Sequence, residues 1–86
     1  MPSATLDAGE LLRRLKACGL TPETRFTRHS LRLDFGSGRR FDLRKGKGGG
    51  EELRRIAIHG AVIRDLLRYL EIPATSIEQH FPQFRD

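Results

Sequence analysis

Apolar residues recur at helical spacing in the first part of the chain. They are Ala8, Leu11, Leu12, Leu15 and Cys18, with charged residues between them. This spacing predicts a helix over about residues 8 to 18 with one apolar side. Asp7 is placed to cap its start and Gly19 to end it. Because Cys18 falls on the apolar side, we interpret it as a small core residue and not as a nucleophile.

Alternation of apolar and charged residues follows in the middle of the chain. Leu31, Leu33 and Phe35 alternate with charged residues, residues 36 to 38 read Gly-Ser-Gly, and Phe41 and Leu43 resume the alternation. The pattern predicts a β-hairpin with a three-residue loop at 36 to 38. In this register Leu33 pairs with Phe41, and Leu31 pairs with Leu43, on the buried face.

The same register brings opposite charges together on the outer face of the hairpin. Asp34 lies opposite Arg40, and Arg32 lies opposite Asp42. Cross-strand pairs of opposite charge attract each other. We therefore expect Arg32 and Arg40 to be partly neutralised and less available to an anionic partner.

Residues 23 to 28 also read as extended, but Phe26 is out of phase with the hairpin. The chain must therefore turn or bulge between residues 27 and 30. We interpret this stretch as a separate first strand, with Arg28, His29 and Ser30 at its junction with the next.

The region from 51 to 71 allows two interpretations. A stripe of apolar residues fits one long helix, whereas residues 54 to 59 alternate and Gly60 could break the chain, which predicts a short strand and a helix from 61 to 71. Pro73 closes the helix in either case, and Phe81 and Phe84 are expected to fold back onto the helices. Residues 1 to 86 then form a single α+β domain, in which a helix, a small antiparallel sheet of two or three strands and a second helix pack as two layers.

Positive charge is concentrated on the predicted sheet. The chain has a formal net charge of +5, and residues 25 to 47 carry eight arginines and lysines against two aspartates. Such a concentration is typical of proteins that bind phosphates, although it also occurs on surfaces that only keep a small protein in solution. The candidate nucleic-acid-binding residues are Arg25, Arg28, Ser30, Arg39, Arg44, Lys45 and Lys47.

His29 is the candidate catalytic residue. An imidazole exchanges protons near neutral pH, so beside a phosphodiester it can accept the proton of a 2′-hydroxyl or donate one to the leaving oxygen. The alternative is an exposed residue at a strand end with no such role. His59 and His80 fall in other elements, and no histidine has a second ligand at metal-binding spacing, so we expect neither a metal nor another cofactor.

Three segments resemble the HicA (YcfA-like) family of toxins, which cleave messenger RNA. They are residues 9 to 20, which are similar to the opening helix of that family, residues 29 to 40, similar to its histidine and hairpin, and residues 61 to 72, similar to its closing helix. The order of elements also resembles a double-stranded-RNA-binding domain, which reads shape and phosphates. The resemblance implies a ribonuclease whose catalytic histidine is His29 and which a partner antitoxin inhibits.

The sequence therefore favours a nucleic-acid-binding protein, with RNA preferred over DNA. One alternative is a DNA-binding module whose hairpin enters the major groove, where Arg28, Arg39 and Arg44 would read guanine edges. Another is a small protein-interaction or inhibitor domain. The chain has one cysteine, no apolar run of membrane-spanning length and no signal-peptide pattern at its start, so we expect a cytoplasmic protein without a membrane partner.

Overall fold

A computed structural model describes residues 4–45 and 52–84 of the chain. The chain adopts an α+β fold with small antiparallel sheets, as the sequence predicts. In chain order the elements are β1 (Thr5–Asp7), α1 (Ala8–Ala17), β2 (Glu23–Phe26), β3 (Ser30–Gly36), β4 (Arg39–Arg44), a 3₁₀ turn (Leu53–Arg55), β5 (Ala57–His59), α2 (Gly60–Tyr69), α3 (Ala74–His80) and a second 3₁₀ turn (Pro82–Phe84). The glycine-rich stretch from 46 to 50 lies outside the described residues.

The first helix matches its prediction closely. The Asp7 carboxylate accepts a hydrogen bond of 2.8 Å from the Glu10 backbone N–H, which satisfies one unpaired donor of the first turn. At the other end Gly19 adopts φ +86°, the left-handed conformation that ends a helix. Leu11 and Leu15 are fully buried, as their spacing requires.

The three-stranded sheet has the order β2-β3-β4, and its hairpin has the predicted register. Leu31 pairs with Leu43, and Leu33 pairs with Phe41. The predicted three-residue loop is wrong in detail, because β3 extends to Gly36 and only residues 37 and 38 separate the strands. An irregularity between Asp34 and Gly36 absorbs the extra residue, so a two-residue connection keeps the apolar pairs aligned.

The predicted first strand and its turn are confirmed. Strand β2 pairs antiparallel with β3, with Phe26 opposite Leu31, and the chain turns between residues 27 and 30. The turn brings Phe26 onto the same face as Leu31, which resolves the phase difference between the two strands. This face of the sheet belongs to the core, and the opposite face is the outer face.

The interpretation of 51 to 71 as one long helix is wrong. The alternative, a short strand followed by a helix, is correct. Ala57–His59 forms β5, which pairs with β1 in a two-stranded sheet. Strand β1 was not predicted, because three residues give too short an alternation. Gly60 lies at the boundary between β5 and α2, as the strand interpretation requires, and a Cβ atom there would lie 2.9 Å from the Ala4 carbonyl oxygen. A residue without a side chain is therefore required where the chain just before β1 approaches the start of α2.

The C-terminal part packs back onto the domain, as predicted. Phe81 and Phe84 are buried in the core, and a short helix that the sequence did not predict, α3, precedes them. Arg14 on α1 fixes this segment by donating to the His80 carbonyl and to the Gln83 side chain. Within the described part of the chain, no helix is long and apolar enough to cross a membrane.

Candidate nucleic-acid interface

One end of the three-stranded sheet gathers most of the predicted site residues. The turn between β2 and β3 lies beside the end of β4, and the Lys45 backbone N–H donates a hydrogen bond of 3.1 Å to the His29 carbonyl. This bond joins two segments that are sixteen positions apart in the sequence. We call the group formed here the turn-end cluster, which comprises Arg25, Arg28, His29, Arg44 and Lys45.

Thr27 and Ser30 build the turn that carries Arg28 and His29. The Thr27 N–H donates to the Ser30 carbonyl at 2.8 Å, and the Ser30 N–H donates to Thr27 Oγ1 at 3.0 Å. The two hydroxyl groups also lie 2.7 Å apart. Ser30, predicted as a nucleic-acid contact, is half-buried and uses its hydroxyl to hold this turn.

The cations of the turn-end cluster keep their charge available. Arg25, Arg28 and Arg44 are exposed, and Lys45 is half-buried. Among residues 4–45 and 52–84, none of these four side chains forms an ion pair with a carboxylate. The nearby turn from 27 to 30 also contains no acidic residue. Within the part of the chain that the structure describes, the cluster is therefore a site of uncompensated positive charge.

Elsewhere on the outer face, carboxylates accompany the arginines. Arg32 Nε lies 2.9 Å from Asp42 Oδ1, and Arg40 Nε lies 3.8 Å from Asp34 Oδ2, so both predicted charge pairs are confirmed. The hydrogen bond to Asp42 raises the pKa of Arg32 above its ordinary value. Glu23 stands opposite Asp34 on the neighbouring strand. Away from the turn end, carboxylates therefore balance most of the positive charge that residues 25 to 47 carry.

Lys45 is held at the edge of the cluster by an aromatic ring. Its Nζ lies 5.6 Å from the centre of the Phe26 ring, within the range of a cation–π interaction. Such contact restrains the long side chain while leaving the ammonium able to donate hydrogen bonds.

Arg39 does not join the cluster. It begins β4, whereas Arg44 ends it, and five residue steps of extended chain separate them by about 17 Å. The three arginines of the DNA-reading alternative therefore lie at two ends of the sheet. Lys47, the remaining predicted contact, lies outside the described residues.

The His29 side chain is exposed, and its ring makes no hydrogen bond to any residue that the structure describes. Its backbone is nevertheless fixed through the Lys45 bond. His59 and His80 lie on other elements, at the ends of β5 and α3.

Other candidate chemistry is weaker. Burial raises the pKa of the Cys18 thiol, which keeps it protonated and agrees with its interpretation as a packing residue. In the described portion, no group of three or more histidine, cysteine, aspartate or glutamate side chains could hold a metal ion.

Sequence reasoning missed two features of the site. The first is a cross-strand pair of arginines, in which Arg25 on β2 stands directly opposite Arg32 on β3. This pair is recognised only once the two strands are aligned through the turn. The second is the Thr27 hydroxyl, which organises that turn. A threonine three residues before a serine at a strand junction is a signal for such a turn, since these hydroxyls bond nearby backbone groups.

Comparison of the chain with protein-family models, with curated proteins and with solved structures finds no match.

Proposed function

We propose that the protein binds RNA through the turn-end cluster. The observation that carries this proposal is the Lys45–His29 backbone bond, because it places the end of β4, with Arg44 and Lys45, beside the turn that carries Arg28 and His29. The four cations at this end of the sheet have no acidic partners among the described residues, and cations grouped in this way suit contact with successive phosphates. The resemblance to HicA toxins supports RNA as the polyanion and a cytoplasmic site of action, where messenger RNA is present.

The sharper form of the proposal is that His29 takes part in RNA cleavage. The substrate's 2′-hydroxyl oxygen attacks the adjacent phosphorus, a 2′,3′-cyclic phosphate forms, and the bond to the 5′-oxygen breaks. His29 accepts the 2′-hydroxyl proton while water protonates the leaving 5′-oxygen, or His29 protonates the leaving oxygen while water accepts the 2′-hydroxyl proton. Arg28 and Arg44 stabilise the negative charge that develops on the phosphoryl oxygens. The nucleophile belongs to the substrate, so this route needs no metal ion.

Binding is tested with fluorescein-labelled single-stranded RNA and purified full-length protein. The variant Arg28→Gln/Arg44→Gln removes two cluster charges, and Arg39→Gln is the matched control at the other end of β4. We expect the double variant to bind at least about tenfold more weakly, since charge-assisted contacts contribute roughly 1 kcal/mol or more each. Equal affinities for the double variant and the control would overturn the proposal.

Cleavage is tested separately, by incubating a long messenger RNA with the protein in EDTA. We expect fragments that end in 2′,3′-cyclic phosphate, and we expect His29→Ala to abolish them while binding remains. His59→Ala is the matched control, because His59 is exposed on a different element. Cleavage by His29→Ala at the wild-type rate removes His29 from the mechanism. RNA binding without cleavage leaves a binding protein and rejects only the catalytic form.

A further inference from the structure

Among the described residues, no strand pairs with β4 on the side away from β3, and we call this side the open edge. The Arg40 backbone N–H points away from β3 at this edge and donates a hydrogen bond of 3.0 Å to the Tyr69 hydroxyl. Backbone groups of an antiparallel strand alternate in direction, so those of Asp42 and Arg44 point to the same side. Neither forms a backbone hydrogen bond on that side with any described residue. An unpaired edge of this kind is a template for another strand.

A mostly apolar groove runs along this open edge. It lies between β4 on one side and β5 with α2 on the other, and it has a volume of about 350 Å³. Phe41, Ile58 and Val62 supply apolar surface within it. Tyr69 lies at one end of the β4 edge, where its ring contacts Phe41 with 5.8 Å between the ring centres. A segment lying in the groove would therefore contact apolar side chains on its inner side.

The charge around the groove favours an acidic occupant. Its two aspartates have partners, since Asp42 pairs with Arg32 and Asp65 pairs with Arg68. The Arg44 side chain has no such pair among the described residues and is exposed. The uncompensated charge beside the open backbone groups is thus positive. Two copies of this chain would instead bring arginine-rich β4 strands together, and like charges on paired strands repel.

We infer that this groove binds an extended segment of a partner protein, which adds to the edge of β4 as a further strand. The segment alternates apolar side chains, which enter the groove toward Val62, with acidic side chains, which lie near Arg44. Backbone hydrogen bonds to Asp42 and Arg44 provide affinity, and the alternating side chains provide selectivity. The groove is a different site from the turn-end cluster, and Arg44 is the one residue that the two sites share.

The test uses an acetylated and amidated seven-residue peptide of alternating glutamate and valine, with a lysine-for-glutamate peptide as its control. Amide resonances of the ¹⁵N-labelled protein are followed during titration to about 1 mM, where even weak association is detected. We expect shifts and slower hydrogen exchange at Asp42 and Arg44. Thr24 and Phe26 serve as internal controls, because their backbone groups face the open edge of β2, and we expect them to stay unchanged.

Two variants at one position separate charge from backbone pairing. Arg44→Gln keeps the N–H and removes the charge, and Arg44→Pro removes both, at an edge where proline is tolerated. We expect peptide binding to weaken about threefold in the first and beyond detection in the second. Val62→Glu places a like charge in the groove, and we expect it to abolish peptide binding and to leave RNA binding at the wild-type level.

Four results would overturn the inference. The first is that the lysine peptide binds as tightly as the glutamate peptide, and the second is that the peptide protects the β2-edge amides as much as the β4-edge amides. The third is that the Asp42 and Arg44 resonances do not shift by about 1 mM peptide. The fourth is that both of these amides already exchange slowly with solvent in the protein without peptide. The last result would mean that the edge is already paired, for example in a dimer. Because Val62→Glu keeps the RNA-binding residues intact, its RNA affinity reports whether the proposed function fails independently.

Discussion

The turn between β2 and β3 depends on one hydroxyl group, and the variant Thr27→Val tests this dependence. Valine keeps the shape of threonine but removes Oγ1, which accepts the Ser30 N–H at 3.0 Å and lies 2.7 Å from the Ser30 hydroxyl. Each lost hydrogen bond costs about 1 kcal/mol, so we expect a loss of about 1 to 2 kcal/mol in the free energy of unfolding. For a domain of this size, Tm should fall by roughly 5 to 15 °C.

Urea denaturation gives the change in stability, and amide exchange at Ser30 reports the turn itself. Thr24→Val is the matched control, because Thr24 is exposed on the same strand and its hydroxyl bonds to no described residue. We expect Thr27→Val to lower the urea midpoint, to speed exchange at Ser30 and to weaken RNA binding. The same midpoint and the same Ser30 exchange in both variants would refute the reasoning.

Three further predictions concern packing. Phe81→Ala should cost about 3 to 5 kcal/mol, a large part of the stability of so small a domain, and an unchanged urea midpoint would show that the C-terminal segment does not pack. Gly60→Ala should destabilise the protein by about 1 to 2 kcal/mol, because a Cβ at 2.9 Å from the Ala4 carbonyl outweighs the gain in helix propensity; a higher Tm would contradict this. Burial raises the pKa of the Cys18 thiol, so the folded state retains the thiol proton as pH rises and the protein loses stability through the alkaline range. The rate of thiol alkylation, followed against pH, should therefore have a higher midpoint in the folded protein than in the unfolded chain. Equal midpoints would refute this prediction.

The parts of the fold that follow from local pattern could be predicted from the sequence. The first helix carries its cap, its apolar spacing and its terminal glycine within thirteen residues, so no distant contact is needed to place it. The hairpin register followed from matching apolar and charged pairs, and the irregularity after Asp34 preserves that match. For both the helix and the hairpin, residues that are close in sequence determine the structure.

The parts that depend on distant contacts could not be predicted. Ala57 fits a helical stripe as well as a short strand, and what decides for the strand is β1, a partner some fifty residues away. The break at Gly60 was predicted, but the reason for a glycine there was not, because the Ala4 carbonyl that excludes a Cβ lies far away in sequence. For the site, composition located the basic segment, but only the antiparallel alignment shows that Arg44 joins His29 while Arg39 lies elsewhere.

The salt dependence of RNA binding tests the central claim most directly. Each phosphate neutralised on single-stranded RNA contributes about 0.7 to the slope of log K against log salt, so a cluster of four cations predicts a slope of roughly −2 to −3. We expect Arg28→Gln and Arg44→Gln each to reduce its magnitude by about 0.7, and Arg40→Gln to leave it unchanged because Asp34 already neutralises that arginine. A wild-type slope near zero, or equal slopes in all three variants, would contradict an RNA-binding site at the turn end of the sheet.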